Sequence, residues 1–289
     1  LARDKQYFTN ILFLNLAVLF ISTSGVLGRY ITLDPVVIIF YRTLIAAVVF
    51  YILIRWRKIS LKIESKRDLL KIILGGFLFG AHWITYFYSL QLSNVAIGLL
   101  SLFTYPVITA FLEPILLKTS FNKIHLALGV LVLAGIYLLS PDLDFENDYF
   151  IAVILGVISS VFYALRNILM KNQISKYNGT TLMFYQIVTI CICLSPVLFF
   201  SEFTPVITQW KPLLILAILT TCIGHTLFLN SFRNFTVTAA SIMSSIQPVY
   251  GILLAIIFLD EVPQLMTILG GILIISAVVI ENLVSYKKA

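Results

Sequence analysis

Arg42 sits in Phe40-Tyr41-Arg42-Thr43, inside an otherwise apolar stretch. It lies about two helical turns, roughly 10 Å, from the start of that stretch. A charge at such depth in a bilayer costs about 2.5–3.5 kcal/mol on insertion scales, so it reads first as functional. Its structural alternative is snorkelling towards the headgroups or bonding to a neighbour's carbonyls. A second cluster follows in His82-Trp83-Ile84-Thr85-Tyr86-Phe87-Tyr88. His82, Thr85 and Tyr86 share one helix face by their i, i+3, i+4 spacing. Trp and Tyr ordinarily gather at membrane interfaces, so Trp83 and Tyr86 at depth suit a cavity wall better than aromatic packing alone. An unperturbed histidine titrates near neutral pH, which makes His82 or His225 a candidate for proton coupling; gradient-driven exchange needs no such group. Catalysis is poorly served. Neither a His-Glu-x-x-His metal motif nor a Gly-x-Ser-x-Gly turn occurs, and the acids within apolar stretches, Glu113 and Glu281, lie near the inner surface. Cys191, Cys193 and Cys222 have no metal or disulfide spacing, so no cofactor or metal is expected.

These residues need elements that hold them inside a bilayer. With 60% hydrophobic and 11% charged residues, the chain is far from a soluble domain, where about 25% would be charged. A hydrocarbon core of roughly 30 Å takes about 20 apolar residues per helix. The sequence offers ten such stretches, at 9–30, 35–55, 70–91, 94–117, 123–140, 150–171, 180–200, 212–231, 236–259 and 263–284. The expected class is an all-α membrane protein with ten transmembrane helices. A net charge of +7 could suggest nucleic acid, but the placement of the 20 basic residues argues against that partner. Most fall at Arg3, Lys5, the stretch 55–71, Lys118, Lys123, Lys171, Lys176, Arg233, Lys287 and Lys288, that is, in alternate loops and the tails. Basic loops stay inside, so both termini are expected in the cytoplasm and the acidic loop 141–149 outside. The stretch 55–71 also suits anionic lipid.

Two stretches carry a proline midway: Val95 to Pro106 and Val237 to Pro248. Each proline removes the bond to the carbonyl four residues earlier, on Leu102 and on Ser244. In lipid, only other helices, hydroxyls or cavity water can satisfy such a carbonyl. Broken helices at matched points of two halves point to the binding site of a secondary transporter. The halves do match. Phe40-Tyr41 overlies Phe184-Tyr185 at offset 144, His82 overlies His225 at 143, and Pro106 overlies Pro248 at 142, as Gly129 overlies Gly271. Five spans per half make the second copy enter from the opposite side. The expected plan is thus two inverted five-helix repeats, 1–141 and 149–289, joined by an acidic linker 142–148 around a central cavity. Gly76 and Gly80 mark a close helix contact, and Gly129 and Gly135 a packing helix.

The ten-span plan and the two prolines resemble the EamA-type branch of the drug/metabolite transporter superfamily. So does Leu259-Asp260-Glu261-Val262-Pro263 followed by Gly270-Gly271-Ile272-Leu273-Ile274. The resemblance covers essentially the whole chain. It implies a central cavity lined by the third, fourth, eighth and ninth helices with the first and sixth. Trp83, Tyr86, Tyr105, Asn230 and Gln247 then become wall residues, and Arg42 and Arg166 anchors for a carboxylate or phosphate. His82 and Tyr185 complete the candidate binding set. One departure stands out: where the second half has Asp260-Glu261, the first has Lys118-Thr119. The function implied is a secondary transporter in the bacterial inner membrane, moving a small-molecule substrate by alternating access. Export of an amino acid or related compound fits best, by a monomer or homodimer with membrane lipid around it. The alternatives are a lipid-linked carrier or flippase of the same fold, or an importer of a nucleoside, vitamin or quaternary amine.

Overall fold

A computed structural model describes residues 2–118, 124–139, 144 and 146–286, and the regular elements among them are all helical. Part of the linker 142–148, with Thr119, Lys123, Lys287 and Lys288, lies outside the described residues, as do the side chains of Arg3, Lys5 and Glu281. The first half runs α1 (Ala2–Tyr30), α2 (Pro35–Arg57), α3 (Lys66–Leu92), α4 (Val95–Leu102), α5 (Tyr105–Leu117) and α6 (Ile124–Leu139). The second runs α7 (Asp148–Ile174), α8 (Gly179–Leu194), α9 (Thr204–Thr208), α10 (Trp210–Ile215) and α11 (Thr226–Ser231), then α12 (Val237–Met243), α13 (Gln247–Leu259) and α14 (Leu265–Tyr286). A π-helical stretch, Leu216–His225, joins α10 to α11, and a 3-10 turn, Ser244–Ile246, joins α12 to α13. Among the described residues, eight helical runs are long and apolar enough to cross a membrane; Leu126–Leu139 and Leu265–Ile280 are shorter apolar helices. Eight of the ten expected stretches fall on these runs; those at 123–140 and 263–284 fall on the two helices that are short of a spanning length.

Local chemistry sets the ends, and it does so twice over. Asp34 accepts from the N–H of Val36 to start α2, and 144 positions on Asn178 accepts from Thr180 to start α8. Asn94 accepts from Ile97 at 2.9 Å to start α4, and 142 positions on Thr236 accepts from Ala239 at 3.0 Å to start α12. Such side chains take N–H groups that the first turn leaves without helical partners. Lys118 and Asp260, again 142 apart, end α5 and α13 in the left-handed region with φ of 56° and 55°, a common way to stop a helix.

Both prolines break their spans as expected. α4 stops at Leu102 and α5 restarts at Tyr105, with Pro106 in its first turn. α12 stops at Met243 and α13 restarts at Gln247, with Pro248 in its first turn. A first-turn proline is well tolerated because the N–H it lacks has no intrahelical acceptor. Hydroxyls and tightened turns close the gaps. Thr104 donates to the Ser101 carbonyl at 2.8 Å, and the Gln247 N–H bonds the Ser244 carbonyl.

The packing also comes in counterpart pairs. α3 lies along α7, as the π-helical stretch lies along α1; α4 and α5 lie against α7, as α13 lies against α1. α2 packs on α8 and α6 on α14. Glycines permit the closest of these contacts. A Cβ on Gly76 would stand 2.8 Å from Thr189 Cβ, and one on Gly270 would stand 2.7 Å from the Gly135 carbonyl oxygen.

Candidate functional site

The broken spans and α3 converge on a buried cluster. α3 supplies His82, Trp83 and Tyr86, and the first break supplies Leu102, Phe103 and Tyr105. Tyr163 comes from α7, His225 from the end of the π-helical stretch, and Gln247 from the start of α13. Between them remains a void of about 10 Å³, room for roughly one water. The central cavity expected from the sequence is therefore shut here. Aromatic rings fill it: His82 stacks on Tyr163 at 4.4 Å, Phe79 meets Trp83 at 4.0 Å, and Tyr105 sits edge-on to Tyr163 at 4.9 Å. Such pairs add about 0.5–1.5 kcal/mol each beyond the area they bury.

Polar tips inside the cluster are sparsely but specifically bonded. Ser159 donates to the His82 carbonyl at 2.8 Å and meets His82 Nδ1 at 2.7 Å. Its one proton cannot serve both, so with the carbonyl bonded the imidazole proton belongs on Nδ1. Tyr105 bonds the Ser244 hydroxyl and lies 3.3 Å from the Ser241 carbonyl, tying one broken span to the other. The hydroxyl of Tyr86 and Nδ1 of His225 are buried without a partner.

The two arginines are both fully buried, so neither snorkels. Arg166 donates to Gln186 at 2.8 Å, to Asn167 at 3.0 Å and to the Met183 sulfur at 3.2 Å, with its guanidinium 4.2 Å from the Phe79 ring centre. Arg42 donates through Nε to Thr221 at 2.7 Å and stacks 3.7 Å from the Trp83 ring centre. Its Nη1 and Nη2 have no hydrogen-bond partner. Arg42 touches the cluster through Trp83, which lines the void.

Of the remaining candidates, Tyr185 and Asn230 lie elsewhere. Tyr185 donates to the Leu61 carbonyl at 2.9 Å in the loop between α2 and α3, and Asn230 packs against Gly179 at the start of α8. The structure adds Tyr163 and Thr221 and brings His225, a sequence candidate for proton coupling, into the same cluster. His225 was legible as the repeat partner of His82; Thr221 and Tyr163 carried no signal of their own.

Each end of the cluster is tied shut. At one end Arg29 pairs with Glu261 at 2.9 Å and donates to the Gln91 carbonyl at 2.9 Å. The other oxygen of Glu261 accepts the N–H of Val95 at the start of α4. At the opposite end Lys171, 142 positions after Arg29, donates to the carbonyls of Phe232 at 2.5 Å and Phe235 at 2.7 Å. The position that aligns with Glu261 is Thr119, which lies outside the described residues, and Lys171 instead feels the charge of Glu113 on α5.

Membrane-crossing helices, two of them broken at prolines and closing on a buried polar-tipped cluster, have the build of a membrane transport protein. The EamA-like transporter family model matches residues 8–140 and again 150–283, and the chain belongs to that family. It is 22% identical over 248 residues to the pseudopaline exporter CntI of Pseudomonas aeruginosa strain UCBPP-PA14, covering 85% of each chain. It is 25% identical over 231 residues to the uncharacterized transporter YxxF of Bacillus subtilis strain 168, covering 78% of this chain and 73% of that one. A solved crystal structure with 17% sequence identity superposes with a TM-score of 0.71 over 96% of this chain and 98% of the other, a likeness of fold.

Proposed function

We propose that the chain exports a small polar metabolite, an amino acid or related compound, across the bacterial inner membrane by alternating access. The observation that carries this reading is a sealed centre lying between two ties at matched positions of the halves, Arg29 with Glu261 and Lys171 with the Phe232 and Phe235 carbonyls just after α11. Opening one tie while the other holds would admit solvent from one side only. The architecture proposed is ten spans in two inverted five-helix repeats, 1–141 and 149–289, with both termini in the cytoplasm. Matched caps, matched breaks and counterpart packing pairs support it, since two near-equivalent packings are what such a cycle exchanges. A relative named as an exporter of a small molecule supports the direction.

Trp83 and Tyr86 are the wall residues on which the reading can fail. In vesicles reconstituted with purified protein, Trp83→Ala and Tyr86→Ala should cut flux by about tenfold or more, the scale of a lost buried aromatic anchor. The variants should still insert and run as single species by size exclusion. Wild-type flux in both would remove the cluster from the transport path.

A further inference from the structure

We infer that the molecule carried is an oxyanion whose carboxylate is taken by the free edge of Arg42. The inference rests on the transport reading above and narrows it to a substrate class. Sequence puts Arg42 and Arg166 on equal terms; their bonding separates them. Every nitrogen of the Arg166 guanidinium has a partner inside the protein. Arg42 is bonded at Nε alone, and both Nη groups are buried and unmet. Thr221 therefore fixes the plane of the guanidinium, while the two Nη groups present a fork that matches two oxygens of one carboxylate. A buried charged donor left without an acceptor is costly, so a site that keeps one is built for an acceptor that arrives from outside.

The surroundings point the same way. Tyr86 and His225, each with an unpartnered polar atom, line the central void, and Trp83 connects that void to Arg42. Among the described residues no Asp or Glu lines the void, and the buried acid Asp68 is tied to Lys176 at 3.1 Å and to Tyr177 at 3.0 Å, away from the cluster. A cationic substrate would enter beside two guanidiniums with no carboxylate to balance them. A neutral one would leave the fork empty. An anion fills the fork and cancels one buried charge. In this closed arrangement only about 10 Å³ remains between Trp83 and its neighbours, so binding requires the broken spans to part.

The test loads liposomes carrying the purified protein with a mixture of amino and hydroxy acids, their methyl esters, sugar phosphates, neutral sugars and polyamines. Mass spectrometry follows what leaves, against protein-free liposomes. The expected result is efflux of free acids and retention of their esters. Efflux of sugar phosphates alone would overturn the carboxylate and give the fork a phosphate instead. Efflux of esters, sugars or polyamines without acids would overturn the inference and leave the transport reading standing. No efflux of any class would overturn the transport reading itself. Arg42→Lys keeps the charge and loses the fork; it should raise the half-saturation concentration for the best acid about tenfold or more at little changed maximal rate. Its preference for acid over ester should fall in parallel. An unchanged preference in folded Arg42→Lys overturns the assignment to this residue. Should that variant not fold, Thr221→Val releases Nε and must weaken the same preference, or the assignment fails.

Discussion

Gly76 carries no side chain because Thr189 and the Gln186 carbonyl oxygen occupy the place, at 2.8 and 3.1 Å from where a Cβ would stand. The backbone oxygen cannot turn aside, so Gly76→Ala should destabilise the α3–α8 contact by about 1–3 kcal/mol, the usual cost of overpacking. A Cβ on Gly129 would meet only Phe111 ring carbons, at 3.3 and 3.4 Å, and the ring can shift. Gly129→Ala should therefore leave thermal unfolding in detergent nearly unchanged while Gly76→Ala lowers its midpoint; equal midpoints would refute the packing argument. At this scale the sequence was informative where spacing along one helix decides the neighbours, as for Gly76 with Gly80 and for His82 with Tyr86. It said little where the partner comes from another span. Arg42 and Arg166 differ through Thr221, Gln186 and Met183, none of them near in sequence to Arg42, and only Asn167 adjoins Arg166. Tyr185 and Asn230 fell away from the void because membership of a helix says nothing of depth along it.

The elements that matter most are the two interrupted spans and the long rod that carries His225. The interruptions were readable, since proline forbids one specific bond and each restart places that proline in a first turn. The π-helical run at Leu216–His225 was not, because none of its residues rules out an ordinary helix. Its widened turn sets Thr221 beneath Arg42 and His225 beside Trp83. α4 has its own dependence: Asn94 and Glu261 both cap its first turn, one from within and one from the loop after α13. Glu261→Gln removes the ion pair with Arg29. It should raise the labelling rate of a cysteine placed at Ser24, beside the void, when an impermeant thiol reagent is added at the Glu261 face. The expected rise is about two- to fivefold, the population change from losing about 0.5–1 kcal/mol. Cys191, Cys193 and Cys222 are replaced beforehand. An unaltered rate would show that the pair does not hold this face closed.

At the scale of the whole molecule, the proposed alternating-access cycle makes the two halves counterweights. The tie at Arg29 has its positional equivalent at Lys171, so loosening one should favour the state in which the other is closed. Lys171→Gln should then slow labelling of the Ser24 cysteine from the Glu261 face and speed it from the opposite face. Faster labelling from both faces would mean a leak rather than an exchange, and would end the alternating-access reading. Loss of Lys171 also removes a donor from the Phe232 and Phe235 carbonyls, whose place bulk water at that end can take.

The ties are made of different stuff. One is a half-wetted pair of opposite formal charges in direct contact; the other is an ammonium held at bonding distance by two peptide carbonyls, with the charge of Glu113 acting on it as well. Mobile ions shorten the reach of exposed charges, to about 8 Å at 0.15 M and about 3 Å at 1 M, and they scarcely touch a short contact to a carbonyl. Concentrated electrolyte therefore weakens the guanidinium–carboxylate clasp more than its counterpart, and an ion-rich medium tilts the resting molecule towards opening on that side.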